Sequence, residues 1–238
     1  MTLGKTLRLR RIFAQGRALI ADSVLLRTDP VGWVRLLGRS GADAVTVTPG
    51  TLDLVAEEVG GLAVILRIDS GHLRGQPLVS VQAALEMGAE AVAVRVDTSS
   101  AAVERFGRVS EEARRLGMPV LAEVEDEDGL EALQLSAEFG ADIIRTPWDL
   151  EAATWRSWAR ATGKPVLVGL ETTGLGVEAL LETAWGLMQG PAQGVVLSGS
   201  GLAHAEAGPW LAALHALVHQ DVSLDDARAA AGLPPAET

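Results

Sequence analysis

The chain has 238 residues, 48% of them hydrophobic, and a formal net charge of −11. That apolar content supports a sizeable core and excludes intrinsic disorder, while the acidic balance excludes nucleic-acid or anionic-membrane partners, which need basic surface. Cysteine is absent, which removes disulfides, thiolate metal sites and cysteine nucleophiles together.

The basic start, MTLGKTLRLRRIF, has no apolar region behind it, so no signal peptide is expected. No apolar run approaches the roughly 18 residues of a membrane helix. A cytoplasmic protein is the expectation. Leu7–Phe13 reads as a short helix covering one end of the fold, its arginines exposed or ion-paired. Strands are predicted at Arg17–Asp22, Asp43–Thr48, Leu62–Asp69, Ala91–Asp97, Pro119–Glu125, Ala141–Thr146, Pro165–Glu171 and Gly194–Ser198, with helical patterns between them. A last helix spans about 223–232, where Ser223 and Asp226 resemble a capping box. No linker or low-complexity tract interrupts the alternation, so residues 1–238 read as one domain with an N-terminal arm over about 1–16.

Three segments share one pattern: SGADAVTVTPG (Ser40–Gly50), MGAEAVAVRVD (Met87–Asp97) and FGADIIRTPWD (Phe139–Asp149). In each, a glycine ends a helix, an Ala–acid pair follows, and a buried strand leads to polar residues. The spacing of Gly41, Gly88 and Gly140 is roughly two βα units each time. A unit repeated at this period specifies a (β/α)8 barrel, the TIM barrel. Near-continuous apolar strands fit a parallel sheet covered on both faces.

Side chains alternate along a strand. Ala91 and Ala93 suit the crowded interior, which turns Arg95 and Asp97 inward as well. The same parity selects Ile65, Arg67 and Asp69; Leu121, Glu123 and Glu125; and Leu167, Gly169 and Glu171. Aligned on its glycine, the sixth strand sets Arg145 level with Ala93, and the first strand contributes Asp22 or, in the other register, Ala21. The inward C-terminal ends therefore carry Asp22, Arg67, Arg95, Glu123, Arg145 and Glu171. Catalytic residues of TIM barrels come from those ends. Opposite charges in a low-dielectric mouth also pair into closed structural networks, and the sequence leaves both roles open.

His215 and His219 have the i, i+4 spacing of a helical metal pair, but HALVH lacks the metalloprotease glutamate, and no metal or other cofactor is expected. The acidic run Glu123, Glu125–Asp128 reads as a solvated loop rather than a cation site. Trp155 and Trp158 read as core, and Trp148 as a pocket-lining or occluding residue.

LRLRRIF, GADIIRT, GVVLSGSG and LVHQDVSLDDA, in that order along nearly the whole chain, resemble the archaeal-type class I fructose-bisphosphate aldolases and related ulosonate synthases. The resemblance implies an aldolase-type barrel, carbon–carbon lyase chemistry on sugar phosphates and a homo-oligomer. It also marks departures. The family's strand-6 lysine, which forms a Schiff base, is Arg145 here, and a guanidinium is no amine nucleophile. The chain has two lysines, Lys5 and Lys164, both expected at the opposite face. The family's Asp-His-Gly on strand 1 reads Asp22-Ser23-Val24, and its strand-5 aromatic pair falls at Glu123 and Glu125. Its phosphate-binding Gly-Arg pair becomes Ser198-Gly199, although Ser198, Gly199, Ser200 and Gly201 retain backbone N–H groups able to cradle a phosphate. Glu171 beside them would repel one.

Three functions follow. In one, Asp22, Glu123 or Glu125 acts as base while Arg67, Arg95 and Arg145 bind an anionic substrate and stabilise an enolate. In another, the protein binds a small anionic or phosphorylated metabolite without turnover. In the third, it is a catalytically dead oligomeric partner whose mouth is closed by its own ion pairs.

Overall fold

The computed structural model describes residues 2–22, 29–69, 77–124, 129–147, 156–157, 159–160, 162–199 and 207–234. Among these, eight parallel strands pair in chain order and close into a barrel. They are β1 (Ala18–Ala21), β2 (Ala44–Val47), β3 (Ala63–Arg67), β4 (Ala91–Val96), β5 (Val120–Val124), β6 (Ile143–Thr146), β7 (Val166–Glu171) and β8 (Gly194–Ser198). Each lies inside its predicted range. The described helices are α1 (Leu3–Ile12), α2 (Pro30–Arg39), α3 (Pro49–Val55), α4 (Val81–Glu86), α5 (Ser100–Leu116), α6 (Gly129–Glu138), α7 (Val177–Met188), α8 (Ala207–His219) and α9 (Leu224–Ala230). None of these is long and apolar enough to cross a membrane. Trp148, Trp155, Trp158 and the run 125–128 lie outside the described residues.

The repeated Gly-Ala-acid pattern has one structural meaning in all three places. Gly41, Gly88 and Gly140 take φ of 81°, 82° and 108°, the left-handed conformation that ends a helix. The next N–H turns back to the helix: Ala42 to Leu37 O at 3.1 Å, Ala89 to Ala84 O at 3.1 Å, and Ala141 to Ser136 O at 2.9 Å. The acid then reaches sideways to the preceding strand. Asp43 accepts the Leu19 N–H at 2.6 Å, Glu90 the Val64 N–H at 2.8 Å, and Asp142 the Val120 N–H at 3.0 Å. Each carboxylate also meets a cation or an imidazole: Asp43 meets His219 at 2.9 Å, Glu90 meets Arg11 at 2.5 Å, and Asp142 meets Lys5 at 2.8 Å.

Arg11 and Lys5 belong to α1, which caps the N-terminal end of the barrel. Ile12 is fully buried with the interior residues, and Leu9 and Phe13 pack against them. The two histidines act structurally here. His215 Nδ1 bonds the Gly41 carbonyl at 2.8 Å, and His219 Nε2 bonds Asp43. At α9, Ser223 Oγ accepts the Asp226 N–H at 3.1 Å, and the return bond runs from this hydroxyl to Asp226 Oδ2 at 2.6 Å.

Small and large residues share the barrel interior, where Ala18, Ala44, Ala63, Ala91 and Ala93 pack with Ile20, Ile65, Leu121, Ile143, Leu167 and Val196. Val92, Val94 and Val96 lie instead in the layer shared with the helices, as strand alternation requires. Ala21 also faces that layer, so it is Asp22 that turns inward. Tilted strands give each interior level side chains from alternate strands. Following the strand register, Ile20, Ile65, Leu121 and Leu167 share one level, and Thr46, Ala93, Arg145 and Val196 the next. Asp22, Arg67, Glu123 and Gly169 lie above them.

Candidate functional site

The top level brings Asp22, Arg67 and Glu123 into direct contact. Arg67 donates to Glu123 through Nε at 3.0 Å and Nη2 at 2.6 Å, and to Asp22 through Nη1 at 3.1 Å and Nη2 at 2.8 Å. The planar guanidinium matches both carboxylates at once, the geometry in which arginine differs most from lysine. Asp22 and Glu123 are buried, 4% and 1% exposed. Burial alone would lower the Arg67 pKa, but the attraction of Glu123 and Asp22 outweighs it and leaves that pKa raised. Arg67 therefore stays charged throughout.

Arg145 rises from the level below with longer contacts. Its Nη1 stands 3.5 Å from Glu123 and 3.9 Å from Asp22, and Nη2 donates to Ser198 Oγ at 3.3 Å. Glu123 and Arg145 are register partners on adjacent strands, which brings their side chains within reach of one another. The principal partner of Glu123 is nevertheless Arg67, two strands away, because side chains of one level converge on the axis. Gly169 makes room for Arg145: a Cβ there would stand 3.0 Å from its Nε and 3.3 Å from the Thr146 carbonyl.

A second group of charges lies between β3, β4 and α5. Asp69 accepts the Arg95 backbone N–H at 3.0 Å, and Arg105 Nη2 stands 3.6 Å from the same carboxylate oxygen. Arg105 Nη2 also donates to the Arg95 carbonyl at 3.0 Å. Burial pushes the Asp69 carboxyl up, opposed by the Arg95 N–H and Arg105. Sequence reasoning missed Arg105. Its signal was an arginine set among Ala102, Phe106 and Val109, three of the buried residues of α5.

Glu171 ends β7 opposite Ser198. Its Oε1 accepts the Thr173 N–H at 3.0 Å and lies against Gly199. Ser198 Oγ, besides accepting from Arg145, donates to the Leu170 carbonyl at 3.4 Å. Of the predicted site residues, Asp22, Arg67, Glu123, Arg145 and Ser198 are thus brought together, Glu171 and Gly199 form the adjoining rim, and Arg95 is tied to Asp69 through its backbone. Glu125, Ser200 and Gly201 lie outside the described residues. Lys5 pairs with Asp142 at the opposite end of the barrel, and Lys164 precedes β7 there.

Residues 6–168 match the DeoC/LacD family aldolases. A 2-amino-3,7-dideoxy-D-threo-hept-6-ulosonate synthase of Halobacterium salinarum is 29% identical over 258 residues, covering 97% of each chain. An archaeal fructose-1,6-bisphosphate aldolase, solved with its catalytic Lys covalently bound to the carbinolamine intermediate of its substrate, is 22% identical. It superposes with a TM-score of 0.76, covering 90% of this chain and 99% of that one. A fructose-bisphosphate aldolase from Slackia heliotrinireducens reaches a TM-score of 0.83 at 14% identity, covering 96% and 90% respectively. The closed parallel barrel agrees with these likenesses, and the match over residues 6–168 makes the chain a member of the DeoC/LacD aldolase family.

Proposed function

We propose that this aldolase-family barrel holds a small phosphorylated or carboxylated metabolite at its mouth without forming a Schiff base, and that class I carbon–carbon lyase chemistry is lost or changed in it. One side chain carries the reading. By resemblance Arg145 stands at the family's Schiff-base position, and a guanidinium stays protonated and is not an amine nucleophile. Arg145 is also the less saturated arginine of the cluster. Arg67 supplies the short bonds to both carboxylates, at 2.6–3.1 Å, while Arg145 contacts begin at 3.3 Å. Arg145 Nε, although buried, has no hydrogen-bond partner among the described residues. An anion entering the mouth would compete for Arg145 Nη1 and Nη2, whose present contacts are long.

The same geometry weakens the acid/base alternative for Asp22 and Glu123. Both oxygens of each carboxylate already accept hydrogen bonds from Arg67, which leaves them poorly placed to reach a substrate proton. The chain is proposed to work as one barrel domain over residues 1–238, in the cytoplasm and as a homo-oligomer. Borohydride treatment with dihydroxyacetone phosphate or fructose 1,6-bisphosphate should leave no covalent adduct. Dihydroxyacetone phosphate should raise the melting temperature of the wild type but not of Arg145→Ala. An adduct mapped to Lys5 or Lys164 by mass spectrometry would overturn the proposal. A second reading, a mouth closed by its own ion pairs in a protein that acts as an oligomeric partner, is favoured by the double engagement of Arg67. It predicts no thermal response to any small anion.

A further inference from the structure

The rim formed by the ends of β7 and β8 already contains an anion that belongs to the chain. In (β/α)8 barrels the loops after strands 7 and 8 frequently seat a substrate phosphate, held by backbone N–H groups. Here Glu171 Oε1 accepts the Thr173 N–H at 3.0 Å. Gly199, with φ of 86°, approaches so closely that a Cβ at this position would lie 1.5 Å from the same oxygen and 2.6 Å from Thr173 Oγ1. Only glycine permits that approach. Thr172 turns away from the opening as well: its N–H and hydroxyl both donate to the Ser198 carbonyl, at 2.9 and 2.6 Å. The Thr172 N–H and hydroxyl and the Thr173 N–H, donors at the end of β7, are thus directed to protein acceptors. Glu171 itself is exposed and, among the described residues, pairs with no cation.

We propose that Glu171 is a tethered anion standing in the place of a ligand phosphate, and that it sets the polarity of the ligand. The ligand's anionic group would lie toward Arg145, and a hydrogen-bond donor, hydroxyl or ammonium, toward Glu171. Ser198 joins the two ends, since its hydroxyl accepts from Arg145 and its backbone is the register partner of Glu171. The ligand class is a short molecule with one anionic end and a donor close to it. Only the Arg145 end of this assignment rests on the function proposed above.

The experiment measures inorganic phosphate binding by calorimetry to the wild type, Glu171→Gln, Glu171→Ala and the double variant Glu171→Gln/Arg145→Ala. Glu171→Gln removes the charge, and Glu171→Ala also frees the Thr173 N–H. Both change an exposed side chain, and circular dichroism checks that each folds. Affinity for phosphate should rise about tenfold or more in both single variants, because a like charge at contact distance is removed. The gain should persist in the double variant. Affinities within twofold of the wild type, or a gain lost with Arg145, would overturn the assignment. In parallel, dihydroxyacetone phosphate binding to the wild type and Arg145→Ala tests the Arg145 end. If that binding ignores Arg145 while Glu171→Gln still gains phosphate affinity, the proposed function fails and the role of Glu171 stands.

Discussion

Arg67 holds Glu123 in a two-point fork, with Nε 3.0 Å from Oε2 and Nη2 2.6 Å from Oε1. The two residues come from β3 and β5, which are separated in the sheet by β4. They meet because strand tilt brings alternate strands to one interior level. With its remaining donors the same guanidinium grips Asp22, the residue that follows β1. One arginine therefore ties three strands together across the barrel axis.

Glu123→Ala should lower stability by about 3–5 kcal/mol, because it breaks the two-point fork and leaves the part-buried Arg67 guanidinium with only Asp22 of its two short-bonded carboxylates. Urea unfolding of the purified variant measures this. A change within about ±0.5 kcal/mol, the range of exposed sites, would show that the mouth is open and wet.

The two arginines should separate in the same assay. Arg67→Met takes from two buried carboxylates the short bonds that Arg67 supplies, a loss of about 3–5 kcal/mol. Arg145→Met removes only contacts of 3.3 Å and longer, and should cost about 1 kcal/mol. Equal losses would contradict the division of roles between them.

Arg145→Lys should not restore trapping by dihydroxyacetone phosphate and borohydride. By the resemblance, one position of the family's strand-5 aromatic pair is Glu125 here, and the arginine of its phosphate-binding Gly-Arg pair is Gly199. A lysine beside Glu123 would moreover be held as an ammonium ion. Mass spectrometry after reduction decides the matter, and an adduct on residue 145 of the variant would show that the missing amine was the whole difference.

Asp69 governs a pH response. Burial raises its folded pKa above the ordinary aspartate value, so above about pH 4 the native state holds this proton more tightly than the unfolded chain. Its contribution to stability therefore falls as pH rises from that value through the folded pKa. Asp69→Asn keeps an acceptor for the Arg95 N–H and removes the titration. The stability of the variant relative to the wild type should increase from acid toward neutral pH, as read from denaturation midpoints at successive pH values. A constant or decreasing difference would show that Arg105 compensates the ionised carboxylate.

At the opposite face, Asp142→Ala should cost about 1–3 kcal/mol, since it leaves the Val120 N–H unsatisfied. Asp142→Asn retains an acceptor and should cost less. Thermal denaturation of both separates the strand-anchoring bond from the Lys5 ion pair.

Much of this protein was decided along the chain itself. Gly41, Gly88 and Gly140 each demanded a left-handed helix end, and the near-continuous apolar runs after them fit strands of a parallel sheet covered on both faces. Those are local constraints, which is why the strands, the inward parity of Ala93, Arg67 and Glu123, and the level of Arg145 were all legible. The absence of a lysine at the strand ends was legible for the same reason. Which arginine pairs with which carboxylate was not. Sequence neighbours and sheet neighbours favoured Arg145 for Glu123, yet barrel closure and strand tilt set Arg67 and Glu123 on one level and Arg145 on the one below. The entry of Arg105 from α5 and the pairing of Lys5 with Asp142 likewise join residues far apart in the chain. Hydrogen bonding depends on distances of a few tenths of an ångström, and those distances exist only once the barrel has closed.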